Sequence, residues 1–294
     1  MLINYLLQLS ISGSDKCKIC GESRNIILYT INQFDIIKCS QCDLVFTSIP
    51  EEFDLSEIYD ESYFQGGQKF GYGNYAASEK VLRIEFRKSV RLIKKFISVK
   101  NKPKLLELGS AYGYFMDEVE QDFDCVGMEL SETAINFARK RGHNVINDTY
   151  NENTSKSIGS IDVVAMFDVI EHLPDPISTL QLLNSHLNKD GIIIITTGNI
   201  DSFLARLMKK KWRLMTPPQH TFFFSKKTLS NIFRNMGYKI EILDSPWKNV
   251  PLGLAVYQLM TRMGFKLKIS ERLNRISLPI NLFDTVRIVA RKIH

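Results

Sequence analysis

The spacing of apolar positions along the chain changes several times, and each change predicts an element. Between Ala76 and Ser98, the residues Val81, Leu82, Phe86, Val90, Ile93 and Ile97 recur at helical steps while Lys and Arg fill the other face. From residue 104 onward the pattern becomes short apolar runs separated by helix-compatible stretches. Runs at Lys104–Leu108, Cys125–Glu129, Asn144–Asn147, Ile161–Phe167, Gly191–Thr197 and Tyr238–Leu243 are expected strands, and the β-branched run Thr285–Arg291 is an expected last strand. Ser131 is placed to cap a helix reaching Arg141, and Ser225 one reaching Asn235, before Gly142 and Gly237 stop them. Strand alternating with helix predicts an α/β fold whose mainly parallel sheet is covered on both faces. The expected layout is an extension over 1–15, a small cysteine-bearing unit over 16–48, and an aromatic connector with a helix over 49–100. The α/β domain then fills 101–294, with insertions at 198–224 and 245–282.

Composition narrows the class without naming it. With 44% hydrophobic and 24% charged residues the chain reads as an ordinary globular protein, and no apolar run approaches the length of a membrane span. The formal charge of +6 favours anionic partners such as phosphates, a membrane surface or RNA. Asn4 and Gln8 break the apolar patches of the first residues and no Lys or Arg precedes them, which argues against a signal peptide and for the cytoplasm. In that reducing compartment Cys17, Cys20, Cys39 and Cys42, spaced as two CxxC pairs, are available as thiolate ligands for Zn²⁺. Four thiolates leave no open position, so the role expected is structural. The other reading is a small hairpin with reduced cysteines. Cys125, alone in an expected strand, reads as packing.

Candidate chemistry begins at Lys104–Phe115. An apolar strand is cut by Gly109, and Gly113 precedes a helix-compatible run, so the segment reads as strand, glycine loop and helix, a cradle for an anionic or polar ligand. The dinucleotide fingerprint is not met, because Ala111 and Tyr114 replace its second and third glycines, which argues against NAD. Two acids flank the cradle. Glu107 lies two residues before Gly109, and Glu129 ends the next strand, where an acid accepts ribose hydroxyls. With Glu107, Gly109, Gly113 and Glu129 in register, the chain resembles the class I S-adenosylmethionine-dependent methyltransferases. The resemblance implies a seven-stranded sheet with an antiparallel last strand. It also implies cofactor contacts from Ser110, Ala111, Leu130, Asp148, Phe167 and Asp168, with a capped turn as the other reading of Asp148.

A second stretch, Asp168-Val-Ile-Glu171-His172-Leu-Pro-Asp-Pro176, is similar to that of small-molecule methyltransferases, including those acting on ubiquinone precursors. In some relatives such a set holds a divalent metal; a capping network is the other reading. The insertions are expected to choose the acceptor. In 198–224, the basic run Lys209–Arg213 is followed by Pro217-Pro-Gln-His220-Thr-Phe-Phe-Phe-Ser225. Together with the CxxC pairs and the Tyr59–Phe64 connector, this looks like zinc-bearing methyltransferases of sugar and polysaccharide pathways. His220 is the candidate general base, or else a histidine that orders its loop. The basic run is placed to meet a substrate diphosphate or to serve as solvated surface, and the aromatic connector to act as flap or linker. In 245–282, the helical pattern of Leu252–Phe265 and the cations after it suit a lid, or a helix in peripheral contact with a membrane carrying lipid-linked sugar. The chain has no room for the large C-terminal domain of the sugar C-methyltransferases, which leaves the acceptor and the O- or C-methylation choice open. The sequence suits methyl transfer to a sugar, nucleotide sugar or lipid-linked glycan, RNA methylation through the cysteine unit, or a non-catalytic cofactor-fold module. Acidic residues after Cys42 argue against nucleic acid.

Overall fold

The computed structural model describes residues 16–50, 53, 75–253, 256, 260, 273 and 277–293. The extension over 1–15, most of the aromatic connector and most of the helical pattern over 252–265 lie outside the described residues.

The N-terminal part forms β1 (Asn25–Ile31), β2 (Phe34–Cys39) and β3 (Val45–Thr47). Helix α1 (Glu79–Ile93) follows, and then the alternating units begin: β4 (Lys104–Leu108), α2 (Tyr114–Val119), β5 (Asp124–Met128), α3 (Glu132–Lys140) and β6 (Val145–Ile146). Next come α4 (Glu152–Ile158), β7 (Ile161–Phe167), α5 (Pro176–His186), β8 (Leu187–Gly198) and α6 (Phe203–Met208). The chain continues through β9 (Phe222–Phe223), α7 (Lys226–Asn235), β10 (Tyr238–Asp244), β11 (Lys248–Pro251), β12 (Ser277–Ile280) and β13 (Thr285–Lys292).

Seven strands form the main sheet in the order β10-β13-β8-β7-β4-β5-β6, with β13 antiparallel to both neighbours. The expected seven-stranded sheet with its antiparallel last strand is therefore present. Alternation explains how the sheet is buried on both sides, since successive residues of a strand face opposite ways. Leu106, Val164, Ile193 and Ile288 face α5 and α7, where Leu180, Leu183, Leu229 and Phe233 are buried. Leu105, Val163, Ile192 and Val289 face the other side, against Val90 and Ile93 of α1 and Phe115 and Val119 of α2.

The expected caps are in place. Ser131 Oγ accepts the N–H of Ala134, and Ser225 and Thr228 form a reciprocal capping box. Strand β8 starts four residues before the expected run. The pairing with β7 jumps from Ile161↔Leu187 to Val163↔Ile192, and Asp190 takes a positive φ of 63°. A bulge of this kind interrupts the apolar pattern without ending the strand.

A second sheet joins β1, β2 and β3 to β9, so the cysteine-bearing hairpin is completed by two residues from the 198–224 insertion. Its two faces pack differently. Ile37, Phe46 and Phe222 join the main core, whereas Ile36, Val45 and Phe223 pack on Trp212, Met215 and Ala205.

Candidate active site

The glycine loop sits where β4 ends. The N–H groups of Gly109 and Ser110 both donate to the carbonyl of Met128 at the end of β5, at 2.8 and 3.0 Å. Gly109 and Gly113 have φ of 71° and 78°, and neither has room for a side chain. A Cβ on Gly109 would lie 2.5 Å from Val169, and one on Gly113 would lie 2.6 Å from His143. Ala111 takes φ of 45°, which turns its N–H towards Glu129 Oε2 at 2.9 Å. The other oxygen of Glu129 accepts the N–H groups of Leu130 and Ser131 at 2.8 and 3.0 Å. Glu129 therefore stands at the end of β5 beside the loop, half-buried, with exposed Leu130 next to it.

Glu107 is buried in β4 and its Oε2 has no partner among the described residues. Burial, with the nearby Glu129 charge adding to it, raises its carboxyl well above the usual range. Ser110, in the loop after β4, is buried as well. Asp148 is exposed after β6, where its Oδ1 accepts the Thr149 N–H at 2.7 Å in a local turn. Phe167 turns into an aromatic cluster with Phe86 and Phe115, at centroid distances of 5.5 and 4.8 Å.

Past β7 the chain brings together groups from four segments. Asp168 has φ of 56° and accepts from Lys248 Nζ at 3.1 Å and Thr196 Oγ1 at 3.3 Å. Burial works to raise this carboxyl, but Lys248 outweighs it and holds the group below the usual carboxylate range. The turn Ile170–His172 buries Glu171, whose Oε2 has no partner among the described residues, and burial reinforced by Asp168 pushes this carboxyl up to about 8. His172 donates Nδ1–H to the Gln219 carbonyl at 2.9 Å. His220 donates its own Nδ1–H to the Leu214 carbonyl at 2.7 Å, and the two rings meet edge to face at 4.7 Å. Because a carbonyl only accepts, this bond leaves His220 Nε2 as the acceptor nitrogen. Burial, then the neighbouring His172, lowers His220 to about 3, so its imidazole is neutral.

Glu171, His172 and His220 place ligand atoms within 4.8 Å of one another, a set able to hold a cation. Asp168 faces Lys248 instead. The grouping anticipated from the sequence, Asp168 with Glu171 and His172, thus gains His220 in place of Asp168.

The cysteine sheet reaches this site directly. Thr47 N–H donates to the Thr221 carbonyl and Thr47 Oγ1 to the His220 carbonyl, both at 2.8 Å, while Thr221 N–H donates to the Glu171 carbonyl at 2.9 Å. In the hairpin itself Cys17 and Cys42 lie 3.5 Å apart, as do Cys20 and Cys39, and all four sulfurs fall within 4.8 Å of one another. Burial pushes the Cys17 thiol up to about 11. That donor set fits a tetrathiolate metal site.

Sequence reasoning missed Lys248, Thr47 and Asp284. Asp284 is buried and accepts from Trp212 Nε1–H at 3.1 Å and from Arg213 in two bonds. None lies in a motif, and only the fold brings them to the site. The basic run resolves into two roles, with Arg213 held by Asp284 and Lys209, Lys210 and Lys211 exposed. A surface cleft of 590 Å³ opens at the opposite end of the sheet, beside Lys104, Asp162 and Arg291. Ligands of parallel sheets bind at the carboxyl ends of the strands, so the candidate site is the one at Gly109, Glu129 and Asp168.

A seven-stranded sheet with one antiparallel strand and a glycine loop after β4 defines the class I methyltransferase fold. The chain belongs to the methyltransferase-domain family, whose match spans residues 78–242. It is similar to the ubiquinone biosynthesis O-methyltransferase of Actinobacillus pleuropneumoniae, 22% identical over 136 residues that cover 42% of this chain and 58% of that protein. The counterpart from Acinetobacter baylyi is 23% identical over 152 residues, 47% of this chain and 64% of that one. The chain thus spans about three fifths of the length of these curated relatives. Among solved structures, a SAM-dependent methyltransferase from Archaeoglobus fulgidus superposes with a TM-score of 0.52 at 19% identity, covering 81% of this chain and all of that one. Magnesium protoporphyrin IX methyltransferase from Synechocystis, with bound SAH, gives 0.52 at 11% identity, covering 81% and 100%. These likenesses show the shared fold.

Proposed function

We propose that the chain is an S-adenosylmethionine-dependent methyltransferase acting on a small-molecule acceptor. The observation that carries this is the placement of Glu129 at the end of the second parallel strand, facing a glycine loop too tight for any side chain. Glu129 receives the ribose hydroxyls, Gly109 and Gly113 let the backbone approach, and Ser110 and Ala111 line the loop. Leu130 offers an apolar face to the adenine and Asp148 a polar contact to its edge, while Glu107, buried two residues before Gly109, belongs to the same cofactor site. Phe167 and Asp168 close the crevice at β7.

S-adenosylmethionine supplies an electrophilic methyl group on a sulfonium sulfur. The chain's part is to align the acceptor with that methyl and to take up the proton. An acceptor hydroxyl whose oxygen displaced the sulfonium sulfur from that methyl carbon would carry a strongly acidic proton. A weak, neutral base such as His220 Nε2 is then sufficient to receive it.

For the acceptor, a sugar, nucleotide sugar or lipid-linked glycan is supported by the resemblance of the Trp212–Ser225 segment and the CxxC pairs. A hydroxyl of a ubiquinone-type precursor is the second reading, favoured by the curated relatives and by the Glu171-His172-Leu173 turn. Cys17, Cys20, Cys39 and Cys42 hold a structural Zn²⁺ in this proposal.

Titration calorimetry with S-adenosylhomocysteine should show binding that Glu129→Ala weakens at least about tenfold, through loss of charged hydrogen bonds. Unchanged affinity would remove the cofactor assignment. Labelled methyl transfer to nucleotide sugars, lipid-linked sugars, quinone precursors and RNA then separates the acceptors, and transfer to RNA alone would replace the small-molecule reading.

A further inference from the structure

Six of the eight large apolar side chains that stand exposed among the described residues come from two short segments. Phe203, 80% exposed, and Leu207, 66% exposed, lie one turn apart on α6 and so share a face. Trp247, Leu278, Leu282 and Phe283 belong to the β11–β12 pair and its flanks.

The two segments are tied together. Asn199 N–H donates to the Asp284 carbonyl at 2.9 Å, and the Asn199 carbonyl accepts from Ser202, the cap of α6. Asn281 Nδ2 donates to the Ser245 carbonyl at 3.0 Å, which holds Leu282 and Phe283 beside the start of β11. Since Thr285 of β13 pairs with Gly198 of β8, both groups stand at the end of the sheet where β4 and β7 also stop. The inner side of α6 is already used, because Ala205 is buried and Leu204 and Met208 pack with Trp212 and Met215. Phe203 and Leu207 are therefore surplus to the core.

Cations border this apolar face. Arg206 is on the same helix, 3.6 Å from Asp201, and Lys209, Lys210 and Lys211 follow directly, exposed and without an ion pair among the described residues. Exposed aliphatic and aromatic groups bordered by unpaired cations match a surface that is oily inside and anionic outside. A symmetric contact with a second copy would bring two lysine clusters together, and RNA phosphates would leave Leu207 with nothing to bury against. No helix among the described residues is long and apolar enough to cross a membrane.

We propose that this face docks on an anionic lipid surface, with Phe203, Leu207 and Phe283 entering the acyl boundary and Lys209–Lys211 meeting headgroup phosphates. The docking does not depend on the methyl-transfer reading, and it would set the mouth of the Gly109–Asp168 crevice close to the lipid.

The test is sedimentation of the full chain with phosphatidylcholine vesicles, with and without phosphatidylglycerol. Binding is expected only when phosphatidylglycerol is present, and it should weaken at least about tenfold in Phe203→Ser/Leu207→Ser and in Lys209→Glu/Lys210→Glu/Lys211→Glu. Both variants alter exposed positions, so their circular dichroism and melting should match wild type. No binding to phosphatidylglycerol vesicles at low salt would overturn the proposal. So would unchanged binding by the Phe203→Ser/Leu207→Ser variant, which would reduce the contact to charge alone. A wild-type dimer made monomeric by the same pair of substitutions would assign the face to a second copy, and tight RNA binding lost with the lysines would assign it to nucleic acid.

Discussion

Glu171 and His220 have opposite titration behaviour in one buried pocket, and each leaves a signature in stability. The Glu171 carboxyl goes from an ordinary value in the unfolded chain to about 8 in the folded one. Between those values the folded state holds a proton that the unfolded state has lost, so stability falls as pH rises from about 4.5 to 8. Glu171→Gln removes that penalty. Urea unfolding with chelator present should show the variant gaining over wild type, by up to a few kcal/mol, at pH 8 but little at pH 5. His220 behaves conversely, because its folded value of about 3 lies below that of a free imidazole. The unfolded chain takes up the proton first, so stability falls as pH drops from about 6.5. His220→Gln should flatten this acid limb, and an unchanged slope would mean that the imidazole is solvated. A proton acceptor with so low a value also predicts that the rate profile carries no His220 inflection near pH 6.5.

At the scale of elements, helix α7 and the cysteine sheet make separate predictions. Ser225 is buried, caps α7 and starts the helix that covers one face of the main sheet. Ser225→Ala should cost about 1 kcal/mol in chemical denaturation, since it removes one side of the capping box. The cysteine sheet shares β9 with the loop that carries His220, and Thr47 holds the His220 carbonyl. Cys39→Ser should therefore release the metal, about one zinc per chain by elemental analysis of wild type, and slow turnover more than it weakens S-adenosylhomocysteine binding. Equal loss of both would point to collapse of the whole domain. Full activity without metal would show that the sheet holds the His220 loop unaided.

For the molecule as a whole, the sequence carried the main sheet because its strands are buried on both faces and appear as unbroken apolar runs such as Ile192–Ile195. The glycine loop and Glu129 were legible for a different reason: tight turns and strand-end acids are local, and local chemistry survives in a linear reading. Lys248 was not legible, since its meaning comes from Asp168, 80 residues away. The same holds for β9, a strand of two phenylalanines that exists only because β3 offers it an edge. That borrowed strand also sets an order of events in time. A hairpin of β1, β2 and β3 has local contacts and can form as soon as it leaves the ribosome, but 173 residues separate Thr47 from His220. The N-terminal sheet must wait, with the edge of β3 unpaired, until most of the main domain has been synthesised. Strands β1 to β3 precede the main domain in the chain yet are finished only after β9 is made, and in a nascent chain halted before residue 222 that edge should be open to proteolysis or to pairing with another chain.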